Sequence, residues 1–309
     1  MKRPNFFIVG APKCGTTSLA SWLKDHPQVF MSPVKEPHYF STDFNRGDFE
    51  SLIEYEKLFE KAGPDHVAVG EASTEYLYSE RAVPNIEAVY PGSRYIVMVR
   101  NPVELAFSLY KYEKAGGREV LETFREAWDK SPERRKGECV GPWCSDPQWL
   151  DYQQVASMGY QLARLYFHVD ESRVLVLFLS DVKENPIKEY RKVICFLGLN
   201  EDGRQSFPSE NVGRGNKSRV VARVIRSAGM VSEKVKKAVG LPVYKGSGIL
   251  RLFDRLNSSG SGGDILEAEI RQEMIGFFYK DIELLAKLTN RDLSEWLGHD
   301  AGNKKDNYR

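Results

Sequence analysis

The sequence predicts an α/β protein built on a central parallel sheet flanked by helices, and three observations carry that prediction. The apolar run Phe6-Phe7-Ile8-Val9 leads through a glycine-bearing loop into Thr17 to Lys24, where Leu19, Trp22 and Leu23 fall at helical spacing. Three further apolar runs follow, each succeeded within a few residues by a helical pattern, the alternation expected of parallel strands covered by helices. The loop after the first run, Gly10 to Thr17, has the glycine spacing of a P-loop-like phosphate-binding loop in the right context, after a strand and before a helix.

Taken in order, the strand candidates after Phe6 to Val9 are His66 to Val69, Arg94 to Val99 and Arg173 to Leu179. Helical patterns occupy Val103 to Lys114, Ser157 to Phe167 and Pro186 to Leu197, and a long amphipathic one runs from Ile265 to Leu288. Pro102 stands at a first-turn position, where a missing N–H costs nothing. Residues 131–149, rich in Pro, Gly, Cys and Trp, read as an inserted loop. From Arg214 to Arg255 basic residues dominate, and Ser258 to Gly263 reads as a flexible connector. The simplest organisation is one domain over 1–309, with an acceptor-loop insertion at 131–149 and a basic segment plus connector at 214–263.

With 309 residues, 41% hydrophobic and 12% aromatic, the chain has enough apolar surface to fold around a large core. Lys and Arg number 44 against 43 Asp and Glu, so no global positive field marks a nucleic-acid binder, and any anion site is local. The four cysteines are too few for a disulfide scaffold and lack paired zinc spacing; free thiols in a reducing, cytoplasmic compartment are expected. The run Phe6 to Val9 is too short for a signal segment or membrane span, so no transmembrane segment is expected.

The loop Gly10-Ala11-Pro12-Lys13-Cys14-Gly15-Thr16-Thr17 lacks the Lys-Ser/Thr ending with which nucleotide-triphosphate loops grip outer phosphates and magnesium. Thr16 holds the lysine position, and Lys13 lies inside the loop. Backbone amides from Cys14 to Ser18, reinforced by the helix dipole and by the hydroxyls of Thr16, Thr17 and Ser18, can converge on an anion. Lys13 then offers positive charge to a departing oxygen without a metal. The bland alternative is an ordinary βα turn. Cys14 at the helix start reads as a small loop-filling residue ahead of a nucleophile.

Pro12-Lys13-Cys14-Gly15-Thr16-Thr17-Ser18-Leu19 closely resembles the 5′-phosphosulfate loop of sulfotransferases that use 3′-phosphoadenosine 5′-phosphosulfate (PAPS). Arg100-Asn101-Pro102 through Ser108 resembles the family's second signature, in which an arginine at a strand end and a serine on the next helix hold the 3′-phosphate; for Arg100 alone the alternative is a surface salt bridge. Asn211 to Arg219 looks like the loop that closes over that phosphate, through backbone amides such as Gly215 and basic residues among Arg214, Lys217 and Arg219, with a solvated basic loop as the alternative. The segments Phe278 to Leu285 and Asp292 to Trp296 also resemble how bacterial and heparan-sulfate-type members end.

An acceptor hydroxyl or amine must lose a proton, and Lys35-Glu36-Pro37-His38-Tyr39-Phe40 offers two bases. The resemblance to the heparan-sulfate branch assigns the role to Glu36; His38, with less need of pKa tuning, is the second candidate. An extended segment around Pro37 would set both on one face. The alternatives are a surface carboxylate paired with Lys35 and a packing histidine. Gly70-Glu71-Ala72-Ser73-Thr74-Glu75-Tyr76-Leu77 is similar to another family segment but departs from it. Thr74 replaces the usual proline, and Ala72 stands where that branch often has a lysine. Glu71 and Glu75 either touch an acceptor or anchor the loop, and Trp143, Trp149 and Tyr152 either line an acceptor pocket or form the underside of the inserted loop.

The resemblance thus implies a metal-free sulfotransferase with PAPS as donor and adenosine 3′,5′-bisphosphate as product, acting on a small-molecule, glycan or carrier-bound acceptor and not on nucleic acid. The rival readings are an ATP- and magnesium-dependent phosphotransferase and a non-catalytic nucleotide-binding module.

Overall fold

The first strand, β1 (Phe6–Gly10), is buried along its whole length, because a parallel strand covered by helices on both faces has no polar side to alternate. The computed structural model describes residues 2–45, 49–142, 144–210 and 266–298, and the backbone alone of 214–216 and 258–260. β1 feeds α1 (Thr16–Lys24), after which the chain forms β2 (Val29–Met31), α2 (Leu52–Glu56), β3 (Ala68–Ala72) and α3 (Ala82–Val89). β4 (Arg94–Val99) leads into α4 (Pro102–Ala115), whose N-cap Asn101 accepts from the amides of Val103 and Glu104. The short helices α5 (Phe124–Asp129), α6 (Ser131–Arg134) and α7 (Tyr152–Val155) precede α8 (Met158–His168) and β5 (Val174–Phe178). Next come α9 (Leu179–Glu184), α10 (Pro186–Leu197) and the long α11 (Ala268–Thr289).

The five strands pair in parallel in the order β2-β3-β1-β4-β5, the α/β architecture expected from the sequence. The chain fills one side of β1 before crossing to β4 and β5 on the other. The carboxyl end of β1 therefore lies where strand order reverses, the position at which open α/β sheets bind ligands. A separate antiparallel pair joins β6 (Arg214–Asn216) to β7 (Ser258–Gly260).

Several elements depart from expectation. β2 is only three residues long and α3 only eight, so neither stood out in the sequence. β3 starts two residues later than the run His66 to Val69 and carries Glu71 into the buried sheet, which hydropathy alone hides. The segment around Pro37 is not extended: Glu36 and His38 both have positive φ, 57° and 55°. Residues 131–149, expected as a loop, contain α6 and a short helical turn at Pro147–Leu150. Beneath them Arg134 and Glu119, both fully buried, are joined by paired hydrogen bonds of 2.9 and 3.1 Å, and Tyr152 donates to Glu119 at 2.8 Å. Trp149 packs on Phe44 and Tyr78, and Tyr152 on Tyr110 and Phe124, both buried; Trp143 lies outside the described residues.

Candidate active site

The phosphate loop departs from β1 at Gly10, whose φ of 151° suits glycine; a Cβ there would lie 2.9 Å from the Thr74 carbonyl oxygen. Lys13 adopts φ 62°, and Gly15, at φ 88°, is the N-cap of α1 with no side-chain cap. The Ser18 amide donates to the Gly15 carbonyl at 3.0 Å, whereas the amides of Thr16 and Thr17 precede any carbonyl the helix can offer and lie at the positive end of its dipole. Cys14 is fully buried and burial pushes its thiol up to about 12, which disfavours the thiolate a nucleophile needs. Thr16 is buried and Thr17 half-buried. Ser18 Oγ accepts from the Glu210 amide at 2.9 Å, and Trp22 Nε1 donates to the Pro208 carbonyl at 2.9 Å. These two bonds fasten residues 208–210 to α1, just before the segment expected to close over the 3′-phosphate. Of that segment, Lys217 and Arg219 lie outside the described residues, and Arg214 and Gly215 are described as backbone only.

Arg100, at the carboxyl end of β4, reaches back to the loop, where its Nη1 donates to the Lys13 carbonyl at 3.4 Å. Its Nε and Nη2 also pair with Glu104, at 3.1 and 3.0 Å, so the salt bridge weighed as an alternative is present as well. Burial, and then the charge of Arg100, lower the Lys13 pKa; Lys35 adds to the repulsion. Two cations held together at an uncapped helix start are the donor set an anionic phosphosulfate fits. Ser108 lies half-buried on α4, two turns in, and Tyr112 one turn further carries the Lys13 ammonium 4.5 Å from its ring centre, with Arg118 also against the ring at 5.2 Å. Sequence reasoning missed Tyr112, although its spacing of four from Ser108 places it on the same helix face.

Glu36 lies at the same end of the sheet, its amide donating to the Ala72 carbonyl at 3.0 Å. Its carboxylate accepts from Lys35 Nζ at 2.8 Å and from Thr74 Oγ1 at 3.1 Å, and its side chain is 32% exposed. Burial opposes its ionisation, but Lys35, His38 and these hydrogen bonds outweigh burial and hold the carboxyl below its ordinary value. Thr74, the departure from the family pattern, thus supplies a hydroxyl to the candidate base that a proline lacks. His38 is 3% exposed, with Nε2 3.9 Å from Glu36 and Nδ1 2.9 Å from Glu75, which is fully buried. The two candidate bases are thereby brought together, although not by the extended backbone expected.

Below them Glu71 accepts from Ser73 Oγ at 2.8 Å and from Tyr55 at 3.3 Å. Burial raises its carboxyl to about 7 against those bonds and one from Tyr76. Glu71 and Glu75 are both fully buried beneath the two candidate bases. Nothing in the spacing of the sequence identified Ser41, whose hydroxyl donates to Glu75. The cysteines Cys139 and Cys144 are free thiols.

Residues 3–211 match the family described as Sulfotransferase domain. A crystal structure of a sulfotransferase from Alicyclobacillus acidocaldarius is similar over 96% of this chain and 99% of that one, with 28% identity and a TM-score of 0.70. Heparan sulfate glucosamine 3-O-sulfotransferase 3B1 of Mus musculus is 31% identical over 196 residues, 63% of this chain and 46% of that protein. Membrane-associated sulfotransferase kil1 of Dictyostelium discoideum is 32% identical over 111 residues, 35% of this chain and 23% of that protein. The chain thus spans less than half the length of these two relatives. The Dictyostelium protein also corrects the cytoplasmic placement expected from the sequence, because a relative sharing such a segment is membrane-associated. Among the described residues no helix is long and apolar enough to cross a membrane. With the match covering most of the chain, and the loop, strand-end arginine and strand order all in place, the chain belongs to the PAPS-dependent sulfotransferase family.

Proposed function

We propose that the protein transfers a sulfonate from PAPS to a hydroxyl or amine acceptor, and that a sugar hydroxyl is the first acceptor to test. The observation that carries the reading is the meeting of Lys13 and Arg100 at the uncapped start of α1. Bound PAPS supplies the sulfonate and, as leaving group, adenosine 3′,5′-bisphosphate. The amides of Cys14 to Ser18 hold the 5′-phosphate side, and Lys13 stabilises charge developing on the bridging oxygen. Arg100 and Ser108 orient the 3′-phosphate, with Arg214, Gly215 and Lys217 as further contacts. Glu36 takes the proton of the acceptor, and its ionised state near neutral pH is supported by Lys35 and Thr74.

Residues 131–149 are assigned to the acceptor side of a single domain. Asp146 accepts from the Asn45 amide at 2.6 Å and Gln148 donates to the Asp43 carbonyl at 3.0 Å, fastening this region to the chain that follows His38. The glycan acceptor rests on the heparan sulfate glucosamine relative, of which this chain spans 46%.

Incubation with sulfur-labelled PAPS and glucosamine-containing oligosaccharides, phenols and amines tests the activity. Label on an acceptor supports the reading; calorimetric binding of ATP-magnesium in place of adenosine 3′,5′-bisphosphate would support a phosphotransferase instead.

A further inference from the structure

A buried carboxylate, imidazole and second carboxylate stand in line behind the reaction centre, and the reading of Glu36 as base leaves two of the three without a task. Glu75 is fully buried and His38 is 3% exposed, yet their facing atoms, Oε1 and Nδ1, are 2.9 Å apart. The approach is off-axis, so Nδ1 has no aligned hydrogen bond and faces the carboxylate through the packing of the buried ring. The Ser41 hydroxyl lies within hydrogen-bond reach of both the His38 carbonyl, at 3.0 Å, and the Glu75 carboxylate, sharing its one proton between them and tying the carboxylate to the backbone that carries the ring. The His38 amide donates to Ser73 Oγ at 3.1 Å. With Nδ1 turned to Glu75, Nε2 is the atom left facing Glu36 Oε2, 3.9 Å away. Glu36 and His38 keep this arrangement with positive φ on both sides of Pro37, a conformation costing about 1–3 kcal/mol at each residue and retained where packing overdetermines it.

We infer that Glu75 is a positioning residue that fixes His38 with a proton on Nδ1, so that His38 Nε2 receives the proton Glu36 takes from the acceptor. The inference rests on Glu36 being the base. As the acceptor oxygen bonds to sulfur and the sulfur–oxygen bond to the leaving phosphate breaks, the acceptor proton passes to Glu36. With the 3.9 Å gap closed to hydrogen-bond distance or bridged by one water, it then moves to His38 Nε2, restoring the Glu36 carboxylate and leaving an imidazolium beside Glu75. The summed charge of the three groups does not change in this second move, and the proton returns to solvent through the partly exposed Glu36 after product leaves.

The arrangement answers a chemical need. A carboxylate held below its ordinary value by Lys35 and Thr74 stays ionised but is a weak base for a hydroxyl. An imidazole set between that carboxylate and the buried Glu75 gives the proton a second place to go. The titratable groups surrounding His38 are Lys35 and Glu36 on its own segment, Glu71, Glu75 and Tyr76 from β3 and the turn after it, and Tyr55 from α2.

The test is the pH profile of kcat/KM for Glu75→Gln in the full chain, with binding of adenosine 3′,5′-bisphosphate as the control for folding. Loss of the compensating carboxylate makes the imidazolium harder to form. The acidic limb is expected to move to lower pH, and the plateau to fall by about 10–100-fold, less than the loss for the base itself. A plateau within twofold, or a lower plateau with the limb unmoved, would overturn the inference. Nitrogen-15 spectra of histidine-labelled wild type, assigned with His38→Asn, test it without relying on the Glu75 variant. A proton on Nδ1 supports the inference and a neutral ring protonated on Nε2 overturns it. An inactive Glu36→Gln alongside an unmoved limb in Glu75→Gln removes only the relay, whereas an active Glu36→Gln removes the base reading on which it stands.

Discussion

Replacing Glu36 by glutamine separates the chemistry of the site from its architecture. Glutamine keeps the size of the side chain and can still accept from Thr74, which donates at 3.1 Å, but it loses the ion pair with Lys35. That pair is partly exposed on both sides, so its loss costs about 0–1 kcal/mol of stability. The effect on rate is far larger. Removing a general base costs roughly 10²–10⁴-fold, which is about 3–5 kcal/mol on the barrier. Single-turnover transfer of labelled sulfonate measures that loss. Thermal unfolding and calorimetry with adenosine 3′,5′-bisphosphate are expected to match wild type, since Glu36 touches neither the phosphate loop nor Arg100. Because the Glu36 carboxyl lies below its ordinary value, its contribution to folding is present above the ordinary carboxylate range and is lost as pH falls through the lowered value. A variant within tenfold of wild-type transfer at neutral pH would refute the assignment.

Three other outcomes follow from the geometry. Lys13→Ala is expected to lower transfer by about 10²–10³-fold through loss of leaving-group stabilisation, with no fall in Tm, because the lysine is itself partly desolvated and repelled by Arg100; a Tm loss as severe as a core substitution would contradict this. Glu71 has its carboxyl raised from 4.5 to about 7, so its favourable contribution is complete below the unfolded value and is lost as pH rises through the folded one. Urea melts of wild type and Glu71→Gln are therefore expected to diverge by roughly 3 kcal/mol between pH 4.5 and 8, the glutamine variant gaining relative stability at the higher pH; a constant difference would refute the shift. Arg134→Met strands the buried Glu119 carboxylate and is expected to destabilise by about 3–5 kcal/mol in urea denaturation, while a change under about 1 kcal/mol would show that the pair contributes little.

The donor side of the site was legible because its signals are local. Lys13 within a glycine loop, and Arg100 and Ser108 in one strand-to-helix unit, depend on neighbours a few residues away, and hydropathy marks β1 and β4 plainly. Glu36 and His38 were found by resemblance, but their meeting comes from two left-handed residues around Pro37, a conformation that no periodic pattern encodes. Apart from Lys35 and Ser41, the partners of His38 and Glu36 come from residues 35 and more positions away, brought in by the pairing of β2 with β3. Glu71 reads as a polar residue interrupting a strand until three hydroxyl groups are seen to meet it in the folded chain. The short β2 escaped notice because three residues are too few for periodicity to register.

Lys13, Glu36 and His38 all sit at φ values of 55–62°. A side chain in that region carries about 1–2 kcal/mol of strain that glycine does not, partly offset by the greater freedom of glycine in the unfolded chain. Engineering guided by heat tolerance alone would therefore drift toward glycine at the three positions where the charge-bearing side chains are needed. Selection for turnover would hold the strained residues in place. A library meant to improve both properties should keep these positions constant and seek its gains in the helices on the far side of the sheet.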